Sequence, residues 1–535
     1  MNPVRPATPG VDIVLINPPS TTEQEFGLLS GGGAPRPPLN LLNLGALLIQ
    51  HGYRVAIVDG PVLTTGLDGV VEHVVASAPR FIGITSMTAF IHASGALAAR
   101  LKHRLPDVPI IIGGIHVSTL PEETLELFPA FDVGVVGEGD VTLVELLQAI
   151  EQGQTLTGVP GLVVRAPSGP RRTLPRQLIA DLDVLPLPAW ELLPDYVTTY
   201  QPTVSRRTRL PSAYVVTSRG CPFRCTFCNN VVHGRRFRSY SVSYIMRMID
   251  HLVEHYGIRD VTIYDENLAL RRSRIVELCQ RMRASGYDLT WSCDARADSV
   301  DEEVLAMMHA AGCRSIWYGM ESGNPAILKR YDKSITLEKL ETAARLTHQH
   351  GIKACGSFII AGPSETPQTI KDTIRFARRL PLAHFVPFFY TPVPGTPDYS
   401  DIEQYGTADL DYRSATMTRP TFAPHGMTFA DVRYWYMRAT LSWYARPSAV
   451  WRMLREMGPR SLLKTGFLFI WRGAAAWLPH RERRSVSTQV EQAELNYTRL
   501  PAPLLMQPGE SPPSADQMFA EATLSSTAGS TSNSR

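Results

Sequence analysis

The sequence has little charge imbalance, no long uninterrupted hydrophobic run and no regular pairing of cysteines. Its 535 residues include 53 basic and 50 acidic side chains, a formal net charge of +3. This balance argues against a nucleic-acid-binding surface or a polybasic membrane patch. Because no stretch of about 18 uncharged apolar residues occurs, no membrane span is predicted. Residues 1–10 are proline-rich and lack the basic and then apolar pattern of a secretory signal.

The cysteine content also excludes a class of protein. Seven cysteines, an odd number in a long chain, do not suit a secreted disulfide framework, so a cytoplasmic location is expected. Hydrophobic residues make up 44% of the chain, which is enough to bury large cores and excludes a wholly disordered protein. At about 150 residues per domain, the length indicates about three domains.

Short apolar runs alternate with helical patterns over residues 10–155. The candidate strands are residues 11–16, 54–58, 81–84 and 108–112. This alternation predicts an α/β domain with a doubly wound, Rossmann-like parallel sheet, which binds ligands at the carboxyl ends of its strands. The proline-rich stretch at 156–205 is predicted to be a connector.

The same alternation resumes over residues 206–405. The candidate strands are residues 214–217, 261–264, 289–292, 315–318, 356–360 and 385–390. Such strand–helix units predict a partial (β/α)6 barrel with its chemistry at the carboxyl ends of the strands. Residues 425–480 are predicted to form a small helical C-terminal extension. The Ser-, Thr-, Pro- and Ala-rich tail at 505–535 is predicted to be disordered.

The sharpest local signal is a group of three cysteines directly after the first predicted barrel strand, Cys221, Cys225 and Cys228. Thiolates suit iron–sulfur clusters and zinc, but a structural zinc site uses four ligands, usually in pairs. The other four cysteines are scattered through helix and strand patterns and are interpreted as small core residues. Three ligands on a 4Fe–4S cluster leave one iron open to a substrate. The alternative is a chance meeting of three cysteines in a loop.

Three further segments follow later predicted strands of the barrel. They are DEN at 265–267, GMESG at 319–323 and IAGPSET at 360–366. Ordinary turns and helix caps are the alternative explanation for each segment. Each segment is weak evidence for a functional site when taken alone. Their occurrence in order at successive strand ends is strong evidence for one.

With these segments, the C-x3-C-x2-C spacing resembles the radical S-adenosylmethionine (SAM) superfamily. The resemblance implies a 4Fe–4S cluster on the three cysteines, whose open iron binds SAM and whose reduction cleaves SAM to a 5′-deoxyadenosyl radical. It implies cluster chemistry at Cys221, Cys225 and Cys228, with Arg296 as a further catalytic candidate after the third strand. The SAM contacts that it implies are Phe227, Asp265, Glu321, Ser322, Ile360 and Gly362.

The first domain carries a second set of motifs at its strand ends. They are NPP at 17–19, SMT at 86–88, GGIH at 113–116 and GEGD at 137–140, with PPL at 37–39 and DLDVLPLP at 181–188 elsewhere. The set resembles the cobalamin-binding domain that precedes the barrel in the class B type of radical SAM methyltransferase-like proteins. The cobalamin contacts that it implies are Ser86, Thr88, Gly113, Gly114, His116, Gly137 and Glu138.

The cobalt-ligating motif D-x-H-x-x-G of many cobalamin domains is missing from the first loop. His92, in the string FIHASG at 90–95, is a poor match in the third loop. An ordinary histidine at a helix start is the simpler interpretation of His92. We therefore expect the lower face of cobalt to be unligated.

The resemblance implies an enzyme that transfers a methyl group from methylcobalamin to an unactivated carbon, or to phosphorus, through a 5′-deoxyadenosyl radical. One alternative is a radical cyclase, ring-rearranging or oxidising enzyme with the same cofactors. Another, of a different class, is a cobalamin- or cluster-binding sensor or carrier without turnover. The expected partners are a small-molecule substrate, such as a secondary metabolite, lipid or tetrapyrrole, and an electron donor of flavodoxin or ferredoxin type. No nucleic acid is expected.

Overall fold

The structure is a computed structural model that describes residues 10–20, 35–63 and 65–456. The part of the predicted extension beyond residue 456 and the predicted tail at 505–535 lie outside the described residues. Within the described ranges, no helix is both long enough and apolar enough to cross a membrane.

The first domain is built on a seven-stranded sheet in the order β2-β1-β3-β4-β5-β6-β7. Its strands are β1 (Ile13–Asn17), β2 (Val55–Asp59), β3 (Phe81–Thr85), β4 (Ile110–Gly113), β5 (Val133–Val135), β6 (Leu162–Val164) and β7 (Arg171–Arg172). Its helices are α1 (Leu39–Gln50), α2 (Gly66–Ala76), α3 (Ile91–Arg104), α4 (Ile115–Thr119), α5 (Pro121–Leu127) and α6 (Gly139–Glu151). Strands β1 to β5 are parallel, and β6 and β7 are antiparallel to their neighbours.

Helices cover both faces of this sheet, which explains why its strands are continuous apolar runs. Ile13 and Leu15 of β1 pack into one core, while Val14 and Ile16 pack into the other. The predicted doubly wound α/β architecture is therefore confirmed. The sheet also continues past residue 155, because β6 hydrogen-bonds to β5.

The second sheet has six parallel strands in the order β15-β14-β13-β12-β11-β8. They are β8 (Ser212–Val215), β11 (Asp260–Ile263), β12 (Thr290–Ala295), β13 (Cys313–Glu321), β14 (Lys353–Ile360) and β15 (His384–Phe389). The hairpin strands β9 (Ser218–Arg219) and β10 (Arg238–Ser239) follow β8. Each of the six candidate strands predicted from the sequence overlaps one strand of this partial barrel.

Helices connect the barrel strands, and further elements lie before and after them. The helix before the barrel is α7 (Tyr196–Thr199). The barrel helices are α8 (Val242–Tyr256), α9 (Arg272–Ala284), α10 (Glu302–Ala310), α11 (Pro325–Arg330), α12 (Leu337–Gln349) and α13 (Pro367–Arg379). After the barrel come β16 (Gly406–Ala408), β17 (Phe422–Pro424), α14 (Phe429–Tyr444) and a helical stretch at 447–456.

Helix α14 packs along β15, the last strand of the barrel. The ring of Tyr436 stacks on Phe389 with 4.1 Å between centroids, and the Tyr444 hydroxyl donates to the Phe385 carbonyl at 2.9 Å. The helical start of the predicted extension is therefore part of the barrel core.

Asp12 ties together the amino-terminal ends of three strands in the first sheet. Its carboxylate accepts from the Arg54 backbone at 2.9 Å, from Arg54 Nε at 3.0 Å and from Arg80 Nη1 at 3.4 Å. The hydrogen bond from the Arg54 side chain is the main cause that lowers the pKa of Asp12 from 3.8 to about 2. The ionised form of Asp12 therefore stabilises this edge of the sheet.

Replacing Asp12 with Asn is expected to lower the free energy of unfolding of the first domain by about 2 kcal/mol at pH 7. The stabilisation exists above the unfolded pKa and is lost as the pH falls through about 2, so the difference from wild type shrinks between pH 4 and pH 2. Thermal unfolding at several pH values measures this. Asp68→Asn, which breaks an exposed pair with Arg100, is the control. A pH-independent difference contradicts the prediction.

Candidate active site

The cysteine segment, residues 221–228, begins shortly after the hairpin strand β9, and none of its three cysteines forms a disulfide. Gly220 directly precedes Cys221 and has φ +80°, a conformation that favours glycine. A Cβ at this position would lie 2.5 Å from the Arg236 carbonyl oxygen. Cys225 is buried, and Cys221 and Cys228 are half-buried.

The three thiols lie within electrostatic reach of one another. Burial is the main cause that raises the pKa of Cys228 to about 12, and the charges of Cys225, Cys221 and Glu266 add to this effect. No group of three or more His, Cys, Asp and Glu side chains in the described ranges is arranged to hold a single metal ion. In a cluster each thiolate binds a different iron, so the ligands are spread further apart. A loop of three soft ligands fits a cluster better than a mononuclear metal site.

Asp265 holds the residues that lead into the cysteine segment. Its carboxylate accepts from the backbone and hydroxyl of Thr217, both at 2.6 Å, and from the Ser218 backbone at 3.2 Å and hydroxyl at 2.6 Å. Arg274 lies 3.8 Å away. With its oxygens occupied in this way, Asp265 positions the turn between β8 and β9, and its predicted contact with SAM stays a prediction.

Arg296 directly follows β12 and lies over the cysteine segment. Its guanidinium stacks on the Phe223 ring, 3.5 Å from the centroid. Its Nη2 donates to the Lys333 carbonyl at 2.8 Å and to Asp298 at 3.0 Å. The guanidinium therefore covers the loop between Cys221 and Cys225.

Glu321 lies at the carboxyl end of β13 in a strained conformation. It has φ +61°, which is uncommon for a residue with a side chain, and a bulge interrupts the pairing with β14 there. Lys333 Nζ donates to Glu321 Oε1 at 2.8 Å, and both side chains are nearly buried. The next residue, Ser322, is fully buried, and its hydroxyl lies 3.1 Å from the Thr373 hydroxyl.

Gly362, after β14, approaches a tyrosine so closely that no side chain fits. A Cβ here would lie 1.9 Å from the Tyr331 hydroxyl oxygen. The Gly362 backbone donates to Glu365 Oε2 at 3.0 Å, while Glu365 Oε1 and the Tyr331 hydroxyl have no hydrogen-bond partner among the described residues. Phe227 packs edge-on against Tyr331 at 5.4 Å, and Ile360 is fully buried. Unpartnered buried oxygens beside the cysteine segment suit a polar ligand.

A cavity of about 430 Å³ opens at the carboxyl ends of β8, β11 and β12. Its lining consists of Arg206, Val216, Ser218, His233, Tyr264, Asp265, Glu266 and Asp294. Of the residues predicted to contact SAM, only Asp265 lines it. Asp265, Glu266 and Asp294 make three carboxylates in this lining, so the cavity suits a ligand with a cationic group.

Two of these carboxylates are already neutralised. Asp294 receives two hydrogen bonds from Arg206, both at 3.0 Å, and that guanidinium also stacks on Trp317. Asp265 is held by Thr217 and Ser218, whereas Glu266 faces the cavity. Glu266 is exposed at the cavity wall, and partial desolvation there, opposed by His233 and reinforced by Asp265, raises its pKa. Glu266 is therefore the acidic group best placed to meet a ligand.

The predicted cobalamin residues lie in the loops after β3, β4 and β5. Ser86 and Thr88 are buried, and the Thr88 hydroxyl lies 3.3 Å from His116 Nδ1. Burial is the main cause that lowers the pKa of His116 to about 4, and the charge of His92 adds to this effect. The ring of His116 is therefore neutral at pH 7. His116 Nε2 is buried without a hydrogen-bond partner in the described ranges. The ring of Tyr412 lies edge-on to His116 at 5.0 Å.

The glycines of these loops leave space above the sheet edge. A Cβ on Gly113 or Gly137 would meet no atom within 4 Å, whereas one on Gly114, at φ +102°, would lie 2.6 Å from the Ser86 carbonyl oxygen. Open space, buried hydroxyls and an unpartnered ring nitrogen fit a bulky polar cofactor. Glu138 differs from this group, because its carboxylate is fully used in contacts with the barrel.

Several residues near the site were not singled out from the sequence. Lys333, Arg206 and Tyr331 come from segments without a recognisable motif. Asn229 directly follows Cys228, and its amide donates to Pro394 at 2.7 Å and to Thr119 Oγ1 at 3.2 Å. Its position directly after the last cysteine is the sequence feature that could have identified Asn229 as part of the site.

Comparison with known proteins agrees with this two-part arrangement. A family model described as the radical SAM superfamily matches residues 215–377, and one described as the B12 binding domain matches residues 33–147. An uncharacterized methyltransferase of Pyrococcus horikoshii is 30% identical over 444 residues, which are 82% of this chain and 93% of that protein.

An anaerobic magnesium-protoporphyrin IX monomethyl ester cyclase of Rubrivivax gelatinosus is 26% identical over 452 residues, 81% of this chain and 79% of that protein. Among solved structures, the radical SAM methyltransferase TsrM of Kitasatospora setae with tryptophan and a SAM analogue bound gives a TM-score of 0.62 at 20% identity. That match covers 80% of this chain and 88% of the other. The likeness to TsrM shows the fold.

Replacing Cys225 with Ala is expected to abolish cluster assembly, because the loop then offers two thiolates. Iron and sulfide analysis after anaerobic reconstitution should show at least a fivefold loss relative to wild type. Cys279→Ala is the matched control, because Cys279 is buried in α9 away from the segment. Equal iron content in the two variants would contradict the assignment of the three thiols.

The protonation of Glu365 should make the stability of the protein depend on pH. Burial raises its pKa from 4.5 to about 8, so the folded protein retains a proton that the unfolded chain releases. The contribution of Glu365 to the free energy of unfolding should therefore fall by about 3 kcal/mol as the pH rises from 5 to 8. Glu365→Gln, which cannot ionise, should show less of this fall in a thermal unfolding series. The exposed Glu302→Gln should behave as wild type, and an unchanged slope in Glu365→Gln would refute the assignment.

Proposed function

Because the chain belongs to the cobalamin-dependent radical SAM methyltransferase family, we propose that it transfers a methyl group from SAM, by way of bound cobalamin, to a carbon atom of a small-molecule substrate. Phosphorus is the less favoured acceptor. A one-electron donor of flavodoxin or ferredoxin type supplies the reducing equivalents in this proposal.

One observation carries the proposal, namely direct contact between the cysteine segment and the loops of the first domain. Arg219, two residues before Cys221, bonds to Asp140 at the start of α6. Asn229, one residue after Cys228, bonds to Thr119 at the end of α4. Both flanks of the segment therefore lie against the edge of the first sheet where a nucleotide-like cofactor binds. A shared space between two cofactor sites is what transfer of a methyl group between them needs.

When bound, the cluster supplies the electron that cleaves SAM, and cobalamin carries the methyl group. The residues of this chain bind and orient these groups. Cys221, Cys225 and Cys228 hold the cluster, and Glu266 in the cavity meets the cationic amino group of SAM. The stacked Arg296 and Phe223 side chains shield the cysteine loop from water.

Radical cyclisation or oxidation is the second candidate function. The similarity to the Rubrivivax gelatinosus cyclase, which extends over 81% of this chain, favours it. The same cofactor sites serve either outcome, so the cysteine segment does not distinguish them. The two functions differ in whether cobalamin receives a methyl group from SAM.

The decisive experiment uses full-length protein, reconstituted anaerobically with iron, sulfide and hydroxocobalamin. It is incubated with a strong one-electron reductant and SAM that carries a trideuterated methyl group. Mass spectrometry should find the label on cobalamin together with S-adenosylhomocysteine, without added substrate. Formation of 5′-deoxyadenosine should be at least tenfold lower in Cys225→Ala than in Cys279→Ala.

Formation of 5′-deoxyadenosine with no label on cobalamin would favour cyclisation or oxidation. A protein that binds both cofactors and consumes no SAM would instead be a sensor or carrier.

A further inference from the structure

The cysteine segment is closed by a hairpin that places two arginines side by side. Strands β9 and β10 pair antiparallel, with Arg219 directly opposite Arg238. Like charges at directly opposed positions repel, and burial makes the repulsion stronger. Both guanidinium groups are buried, with 8% and 3% of their side chains exposed. The hairpin alone does not provide the negative charge that this arrangement requires.

Two carboxylates at the start of α6 in the first domain provide it. Arg219 donates from both terminal nitrogens to Asp140, at 2.8 and 3.0 Å. Arg238 donates from both to Glu138, at 2.9 and 2.7 Å. Arg219 also reaches Glu138 at 3.3 Å, which links the two pairs into one network. Two positive and two negative charges balance within it.

The carboxylate of Glu138 has no free capacity for another ligand. Besides the arginines it contacts His233 Nδ1 at 3.2 Å and the Ile179 backbone at 3.2 Å. Burial acts to raise its pKa, but the hydrogen bonds from His233 and Arg238 and the charges of both arginines hold the pKa well below its usual range. Only 3% of the Glu138 side chain is exposed.

The other flank of the segment is held independently. The Asn229 amide bridges Thr119 and the Pro394 carbonyl, and its side-chain oxygen accepts from the Val231 backbone at 2.9 Å. The three cysteines therefore lie between two anchors that both reach the first domain. The path from the arginine network to Cys221 is two residues long.

We propose that Glu138 and Asp140 are positioning residues for the iron–sulfur cluster, acting through Arg219 and Arg238, in place of the cobalamin contact that the sequence motif predicts for Glu138. This inference rests on the cluster proposed for the three cysteines. Loss of either carboxylate leaves an arginine charge uncompensated beside the cysteine segment. The cluster then becomes easier to reduce and harder to retain, while the cobalamin loops after β3 and β4 stay intact.

The test measures the two cofactors separately in full-length Glu138→Gln and Asp140→Asn proteins. Iron content and the midpoint potential of the cluster, followed by electron paramagnetic resonance, report the first site. Absorbance titration with hydroxocobalamin reports the second. We expect iron content to fall at least twofold and the potential of the remaining cluster to become more positive. The Kd for cobalamin should change less than twofold.

Two further variants separate positioning from a general effect on folding. Glu145→Gln, on the same helix α6 and paired with Arg176 near the surface, should match wild type in every readout. Asp140→Glu keeps the charge and should return the cluster potential towards the wild-type value. A merely structural defect would not move the potential in this charge-dependent way.

Weaker cobalamin binding with an unchanged cluster in Glu138→Gln would overturn the inference and restore the cobalamin contact. Unchanged values for both cofactors, or a parallel loss of both with unaltered thermal unfolding, would overturn it as well. If Asp140→Asn does not fold, the same measurements on Glu138→Gln alone decide whether the inference holds. A wild-type protein that binds no iron would refute the proposed function itself.

Discussion

Two buried arginines at opposed positions of a hairpin are stable only if carboxylates neutralise them, and the rest of the site depends on this constraint. Here the carboxylates belong to the first domain and the hairpin to the barrel. Breaking one partner of a buried ion pair typically costs about 3–5 kcal/mol, so the contact between these two surfaces is strongly specified. Because the hairpin closes the cysteine segment, the same contact fixes where the thiols lie relative to the cobalamin loops.

The other features of the site extend this arrangement along the strand ends of the barrel. Asp265 holds the residues that lead into the segment, and Arg296 covers its loop and reaches the Lys333 backbone. Lys333 in turn pairs with the strained Glu321. Successive strand ends therefore contribute side chains that contact one another. Preorganisation of this kind reduces the reorganisation that a radical reaction would otherwise require.

The sequence predicts those parts of the molecule that depend on neighbouring residues. Ile13 and Leu15 alternate with Val14 and Ile16 because both faces of β1 are buried, and the cysteine spacing is visible without a fold. The arginine network is different, because its partners are 79 and 100 residues apart. A motif search therefore groups Glu138 with its neighbouring glycines and assigns it to cobalamin. Only the tertiary structure shows how its charge is neutralised.

Selection between the two proposed reaction outcomes depends on a different part of the site. The cysteine segment is anchored at both flanks, and in the proposed function it would serve methyl transfer or cyclisation equally. We therefore attribute the selectivity to the cavity, whose wall combines strand ends with Arg206 from outside the strands. Arg206 is committed to Asp294 and stacks on Trp317, so it shapes that wall as a rigid group. If, as proposed, Glu266 meets the cationic end of SAM, Tyr264 on the same cavity wall is left to contact the substrate.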